Sequence, residues 1–217
     1  AREGRFEKKG ETKSLVPFAA SSIPLVTLGT VFLWFGWFGF NGFSQLAMGT
    51  FDDVTAITKI AVNTHLAGAA GVVTGAVVTR LLDSKTDVVM MLNGALAGLV
   101  AITAEPLTPT PAMALVIGSM GSLIMYFGTK FLERMGLDDV VGAIPVHMFA
   151  GIFGTLIVPF TNADTSFGTQ FTGVLAVCSF SFILSFIIFK ILKATVGLRI
   201  SKEAEKLGTD VAEIGVR

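Results

Sequence analysis

The chain has 217 residues, 52% of them hydrophobic and only 15% charged, with a mean hydropathy of +0.73, far too apolar for a disordered tail or an ordinary soluble domain. Sixteen Lys and Arg balance sixteen Asp and Glu, so the chain lacks the basic footprint of a nucleic-acid binder. A single cysteine, Cys178, excludes an intrachain disulfide and a cysteine-rich metal cluster. What remains is a membrane protein, and its spans are read from stretches free of Asp, Glu, Lys and Arg that approach the twenty or so apolar residues a crossing requires.

The chain opens on thirteen residues rich in Arg, Lys and Glu, with no start Met, signal peptide or amphipathic transit pattern. Residues 1–23 are therefore expected to be a cytoplasmic loop-like segment, an internal piece of a longer chain. Charge-free stretches then predict spans near 24–48, 57–81, 88–104, 111–132, 140–160 and 170–196, an all-α polytopic bundle of six transmembrane helices, with 197–217 as a cytoplasmic tail.

In the first span Trp37, Phe40, Asn41 and Ser44 stand at i, i+3, i+4 and i+7, which predicts one helical face carrying two aromatics, an amide and a hydroxyl. Aromatic faces and hydroxyl oxygens hold a small cation as it sheds water, through cation–π attraction and hydrogen-bond acceptance. His65, in the second span, follows Asn63 and Thr64 and is equally readable as a hydrogen-bonding helix contact or as part of a pathway. Glycines at Gly71 and Gly75, Gly94 and Gly98, Gly118 and Gly121, and Gly151 and Gly154 predict close helix packing.

His147 is the sharpest candidate. Counted as the eighth residue of a span beginning near Val140, it falls about 10–12 Å into the membrane, where a titratable side chain handles protons or ligands by default. Two histidines far apart and without a carboxylate cluster give no metal site, and no cofactor is expected. Fifteen of the sixteen basic residues fall on one face of this topology and only Lys59 on the other, giving net charges of +3 and −3. The positive-inside rule then puts both ends of this chain in the cytoplasm, in a plasma (inner) membrane.

Several of these segments resemble the ammonium transporters of the Amt/Mep/Rhesus group. Gly36-Trp37-Phe38-Gly39-Phe40-Asn41 is similar to the family's sixth-helix motif, and Ala61-Val62-Asn63-Thr64 to the start of helix seven. Residues 94–103 are similar to helix eight, and Asp138-Asp139 followed by Val146-His147 to helix ten. Thr195-Val196-Gly197-Leu198-Arg199 resembles the start of the regulatory tail.

The resemblance implies one inverted repeat plus the final helix of an eleven-helix transporter, that is, helices six to eleven. A missing N-terminal half would carry helices one to five. By the same resemblance Ser44 takes the place of an outer binding-site serine, Phe40 that of a gating phenylalanine, and His147 that of the second member of a twin-histidine pair. The implied function is ammonium transport rather than enzyme catalysis, by a homotrimer of complete protomers, with a possible PII-type cytoplasmic regulator at the tail. An ammonium sensor of the same fold, expected to carry a fused output domain, and a structural bundle are the alternatives. Three positions depart from the family pattern: Gly142 stands where a third Asp is usual, Ala104-Glu105-Pro106 where small residues are common, and Ile214-Gly215-Val216-Arg217 lacks the tail's His and Glu.

Overall fold

The computed structural model describes residues 5–9, 12–16 and 20–215. Arg2 and Arg217 of the charge census, and Val216 of the tail, lie outside the described residues. A two-stranded antiparallel hairpin, β1 (Phe6–Lys9) and β2 (Thr12–Leu15), precedes the helices within the segment expected to be a loop. The helices are α1 (Ile23–Gly42), α2 (Phe51–Leu82), α3 (Val88–Thr103), α4 (Pro111–Met135), α5 (Ala150–Ile157), α6 (Phe167–Thr195) and a short α7 (Lys202–Leu207) in the tail.

Local chemistry sets the ends of these helices. Ser22, Asp87, Thr110 and Ser166 each accept a backbone N–H of the following first turn. Thr50 and Asp53 form a reciprocal capping box, which starts α2 at Phe51 rather than near residue 57. Charge-free counting missed that turn because Asp52 and Asp53 are favourable at a helix N-terminus. The first helix closes earlier than predicted, since Gly42 gives way to a 3₁₀ turn over Phe43–Gln45 and Leu46 takes the left-handed conformation at φ 60°.

Four of these elements are long and apolar enough to cross a membrane, namely α1 with its 3₁₀ turn, α2, α4 and α6. The other two predicted spans are shorter: α3 has 16 residues, and the fifth is a composite helical path over Ile144–Phe160. At 1.5 Å per residue α3 is about 24 Å long, against a hydrocarbon core of about 30 Å. The molecule is thus a helical integral membrane bundle, with four elements that meet the length criterion by themselves.

The core is the triangle of α2, α3 and α4. Ala67 of α2 is fully buried, and a Cβ placed on Gly98 of α3 or Gly118 of α4 would meet its carbonyl oxygen. Four residues along α2, the backbones of Gly71 and Gly94 touch, and Ser122 of α4 donates to the Gly71 carbonyl at 2.9 Å. Helices in lipid gain little from hydrophobic attraction, so such small-residue seams supply the dispersion contacts that hold them. By contrast α6 has no buried residue and, among the described residues, rests only against α5 and the 3₁₀ turn at Val158–Phe160.

A side chain at Gly71 cannot enter without separating α2 from α3. Gly71→Val should therefore destabilise the detergent-solubilised chain by at least the 1–3 kcal/mol, roughly, of core overpacking. Gly173→Ala on α6, with nothing within 4 Å of the added carbon, should leave the unfolding midpoint unchanged. Equal midpoints for the two variants in a thermal or denaturant melt would contradict this account of the core.

Candidate functional site

The structure splits the face predicted for α1. Asn41 turns inward, is 1% exposed, and donates through Nδ2 to Thr64 Oγ1 of α2 at 2.9 Å. Phe40 and Ser44 remain exposed. The helix tightens into 3₁₀ geometry just before Ser44, so the i+7 relation to Trp37 no longer keeps one face. Ser44 donates its hydroxyl to the Phe40 carbonyl at 3.1 Å, which leaves its oxygen lone pairs directed away from the helix as acceptors.

Trp37 is half-buried, with its ring 5.7 Å from that of Phe40. Its Nε1 donates to Thr103 Oγ1 at 2.7 Å, and Thr103 donates its own hydroxyl to the Leu99 carbonyl at 2.6 Å. Both groups are therefore committed to holding α1 against the end of α3.

His65 is exposed and has no hydrogen-bond partner among the described residues, so of its two readings the hydrogen-bonding helix contact is not seen. Asn63 instead donates to the Pro106 and Pro109 carbonyls at 2.9 and 2.8 Å, and Thr64 is taken by Asn41. What His65 meets is aromatic: its ring lies 5.5 Å from Trp34 and is stacked at 6.2 Å on Phe38. Trp34 and Phe38 were missed as site neighbours, although their i, i+4 spacing is the available signal.

His147 lies apart from this cluster. It sits on a π turn, Ile144–Phe149, that packs on α3 and α4 and does not touch α1. The depth inferred from sequence needs correction. Gly142, at φ +74°, belongs to a turn, and helical geometry begins only at Ile144, so His147 is the fourth residue of its element and not the eighth. It stands about 7 Å before the midpoint of Ile144–Phe160, counted along the chain. Its imidazole is exposed and without a hydrogen-bond partner among the described residues.

The turn before it is closely built. Asp139 accepts from Ala143 N at 2.9 Å and Ile144 N at 2.7 Å, capping the π turn, and Asn93 of α3 donates to the Val141 carbonyl at 3.1 Å. The positive φ of Gly142 strains any side chain placed there, and a Cβ would come within 2.8 Å of Asn93 Nδ2. At the opposite end of the bundle Glu105, expected to add an outer charge, has its carboxylate occupied by Leu107 N, Thr108 N and Asn162 Nδ2 at 3.2, 3.2 and 3.0 Å. Its visible role is to staple two loops together. No group of three metal-ligating side chains occurs among the described residues.

Comparisons with known proteins converge on one group. A family profile described as Ammonium Transporter Family matches residues 2–217. Ammonium transporter Amt2 of Archaeoglobus fulgidus is 40% identical over 98% of this chain and 48% of its own length. A putative ammonium transporter of Synechocystis sp. is 38% identical over 98% of this chain and 40% of its own. Among solved structures, one titled Sensor Amt Protein superposes with a TM-score of 0.85 at 35% identity, over 92% of this chain and 51% of that one. Candida albicans Mep2 superposes with a TM-score of 0.79 at 28% identity, over 92% and 48%. The chain thus spans about half the length of these relatives.

The Asn41–Thr64 bond makes a stability prediction at the site. Thr64→Val leaves a buried amide unpaired and should cost about 1–3 kcal/mol in denaturant unfolding. Adding Asn41→Leu, which removes the orphaned group, should recover part of that loss. Simple additivity of the two losses would show that the pair is not coupled.

Proposed function

Because the chain belongs to the ammonium transporter family, we propose that it forms one half of an ammonium transporter, completed by a further portion carrying five helices. The observation that carries this proposal is the exposure of two imidazoles, His65 and His147, together with the Ser44 hydroxyl, on the surface of a membrane bundle. By contrast Asn63, Thr64, Thr79 and Ser122 are buried and bonded inside the chain. An imidazole left against lipid is costly, so a covering element that also lines a path accounts for both histidines. The same proposal takes the chain across the membrane six times with both ends cytoplasmic, α3 and the Ile144–Phe160 path being sheathed by neighbouring helices.

In the proposed pathway, ammonium meets the free lone pairs of Ser44 and the rings of Trp37 and Phe40 on the acidic side. It loses water there and passes Phe40. Desolvating the ion in a low-dielectric passage is expensive, and handing its proton to a neutral imidazole at His147 lowers that cost. Ammonia and the proton then cross separately, which rejects sodium and potassium because neither can give up a proton. The stacked Trp34, Phe38 and His65 form an aromatic flank to this route. Assembly of complete protomers into a homotrimer and a PII-type regulator at the tail belong to the same proposal. Sensing by the same fold is a second proposal, favoured by the likeness to the structure titled Sensor Amt Protein.

Proteoliposomes of the complete assembly test transport against sensing. His147→Ala should depress ammonium-dependent current while the protein remains folded, and His147→Asp should admit potassium by leaving a negative charge in the passage. Full current and selectivity in both variants would remove His147 from the pathway. Undetectable ammonium flux in the wild-type assembly would favour sensing.

Ser44→Ala provides a separate measurement, of the outer site. It should weaken apparent ammonium affinity by about 0.5–1.5 kcal/mol, and more if the charged donor binds there directly. Unchanged affinity would return Ser44 to a helix-end contact.

A further inference from the structure

We propose that Arg5 is a positioning residue for His147, acting through a part-buried ion pair that docks the amino-terminal hairpin onto the turn leading into the π turn. This rests on the pathway role proposed for His147, and it concerns how that side chain is held. Arg5 and Val16 close the base of the hairpin: Val16 N donates to the Arg5 carbonyl at 2.8 Å, and an Arg5 guanidinium N–H donates to the Val16 carbonyl at 2.7 Å. From that base Arg5 Nε donates to Asp138 Oδ1 at 3.1 Å. The two side chains are only 17% and 9% exposed, and β2 packs on α4 beside them.

The partner is adjacent to the residue that fixes the π turn. Asp139 holds the amides of Ala143 and Ile144, so Asp138 and Asp139 connect the hairpin to the cap of the element carrying His147. A cavity of about 20 Å³ among Arg5, Glu133, Asp138, Asp139, Gly142 and Pro145 leaves room for little more than one water. Three carboxylates thus line this pocket with one guanidinium. Without Arg5, Asp138 would be left buried beside like charges, and turning outward to water is its simplest relief. Such a movement pulls on Asp139, loosens the cap, and frees His147 to change direction. Asn93, holding Val141 from α3, secures only the middle of the turn.

The test uses the complete transporter, with Arg5→Gln, Asp138→Asn and the exchanged pair Arg5→Asp with Asp138→Arg. Amide hydrogen exchange over residues 143–149 reads the turn directly, and ammonium current with potassium leak reads the pathway. Arg5→Gln should speed exchange of the Ala143 and Ile144 amides by about tenfold or more and lower ammonium current in protein that still folds and assembles. The exchanged pair should move both toward wild type. If Arg5→Gln does not assemble, Arg5→Lys, which keeps the charge but loses the second donor to Val16, should give the same changes in smaller degree.

Unchanged exchange over 143–149 in folded Arg5→Gln or Arg5→Lys protein would overturn the proposal. So would faster exchange with no change in current while His147→Ala still abolishes it, because the turn would then be loosened without consequence for His147. Faster exchange rescued by the exchanged pair, with His147→Ala conducting normally, would support the mechanical link and refute the proton role instead.

Discussion

Everything in this bundle depends on the closeness of three backbones around Ala67 and Gly71. In water, burial of large apolar side chains would hold helices together, but a bilayer offers those side chains an equally apolar surrounding, and van der Waals contact between backbones takes over. The glycines of α3 and α4 let carbonyl-bearing ridges of α2 sit directly against them. That contact makes α2 the axis from which other elements are hung. Toward its first end, Thr64 holds α1 through Asn41 and Asn63 gathers the loop after α3 through two carbonyls. Toward its last end, Thr79 donates to the Gly75 carbonyl and accepts the amide of Asp87, which fixes the loop into α3. Moving α2 by the width of one methyl group would disturb all of these bonds at once.

The same economy separates polar groups that serve the fold from those left for another purpose. Asn63, Thr64, Thr79 and Ser122 are buried and bonded inside the chain, as polar groups in lipid must be. Among the described residues, the buried side-chain atoms left without a partner are Trp34 Nε1 and Asn41 Oδ1, both on α1. His65 and His147 are in the opposite condition, exposed and without hydrogen bonds. Their surroundings differ as well: His65 lies against two aromatic rings, whereas His147 stands clear on a π turn. Two histidines of one chain therefore sit in two different settings, which composition alone would not separate.

Fold class was legible because it follows from charge-free length and glycine spacing, both local properties of the sequence. Gly71, Gly94, Gly98 and Gly118 occupy the seams their spacing implied, whereas Gly151, with an ordinary 3.5 Å neighbour, is less constrained. Helix boundaries were harder to read where charges lie within a helix, since a charge-free stretch ends at Lys59 and so discards the turns before it, including the one that Asp53 caps. The face of α1 misled for a different reason. Helical periodicity assumes one geometry throughout, and the 3₁₀ turn at Phe43–Gln45 changes it between Asn41 and Ser44. Glu105 read as a surface charge because its three N–H donors come from loop geometry and from Asn162, 57 positions away.

The π turn shows how a misread boundary becomes a functional feature. Pro145 stands at its second position, where a missing N–H costs nothing, and Ala150 N reaches back five residues to the Pro145 carbonyl. Widening the helix by one residue lets Pro145 and Phe149 lie against the notch at Gly128 of α4, a position where any Cβ would collide with the Phe149 ring. Pro145, Val146 and Ala150 are buried by this packing, and Gly154 continues the same contact onto the Ala101 carbonyl of α3. With Pro145 and Val146 buried and Phe149 seated at Gly128, His147 is left on the open side beside the exposed Met148. An uninterrupted α-helix would rotate every later residue by about 100° for the one omitted, and could not seat both Phe149 at Gly128 and Gly154 at Ala101 while presenting this imidazole. The turn's single surplus residue thus reconciles this packing with an outward imidazole, while the Asp139 cap holds the turn's first amides in place.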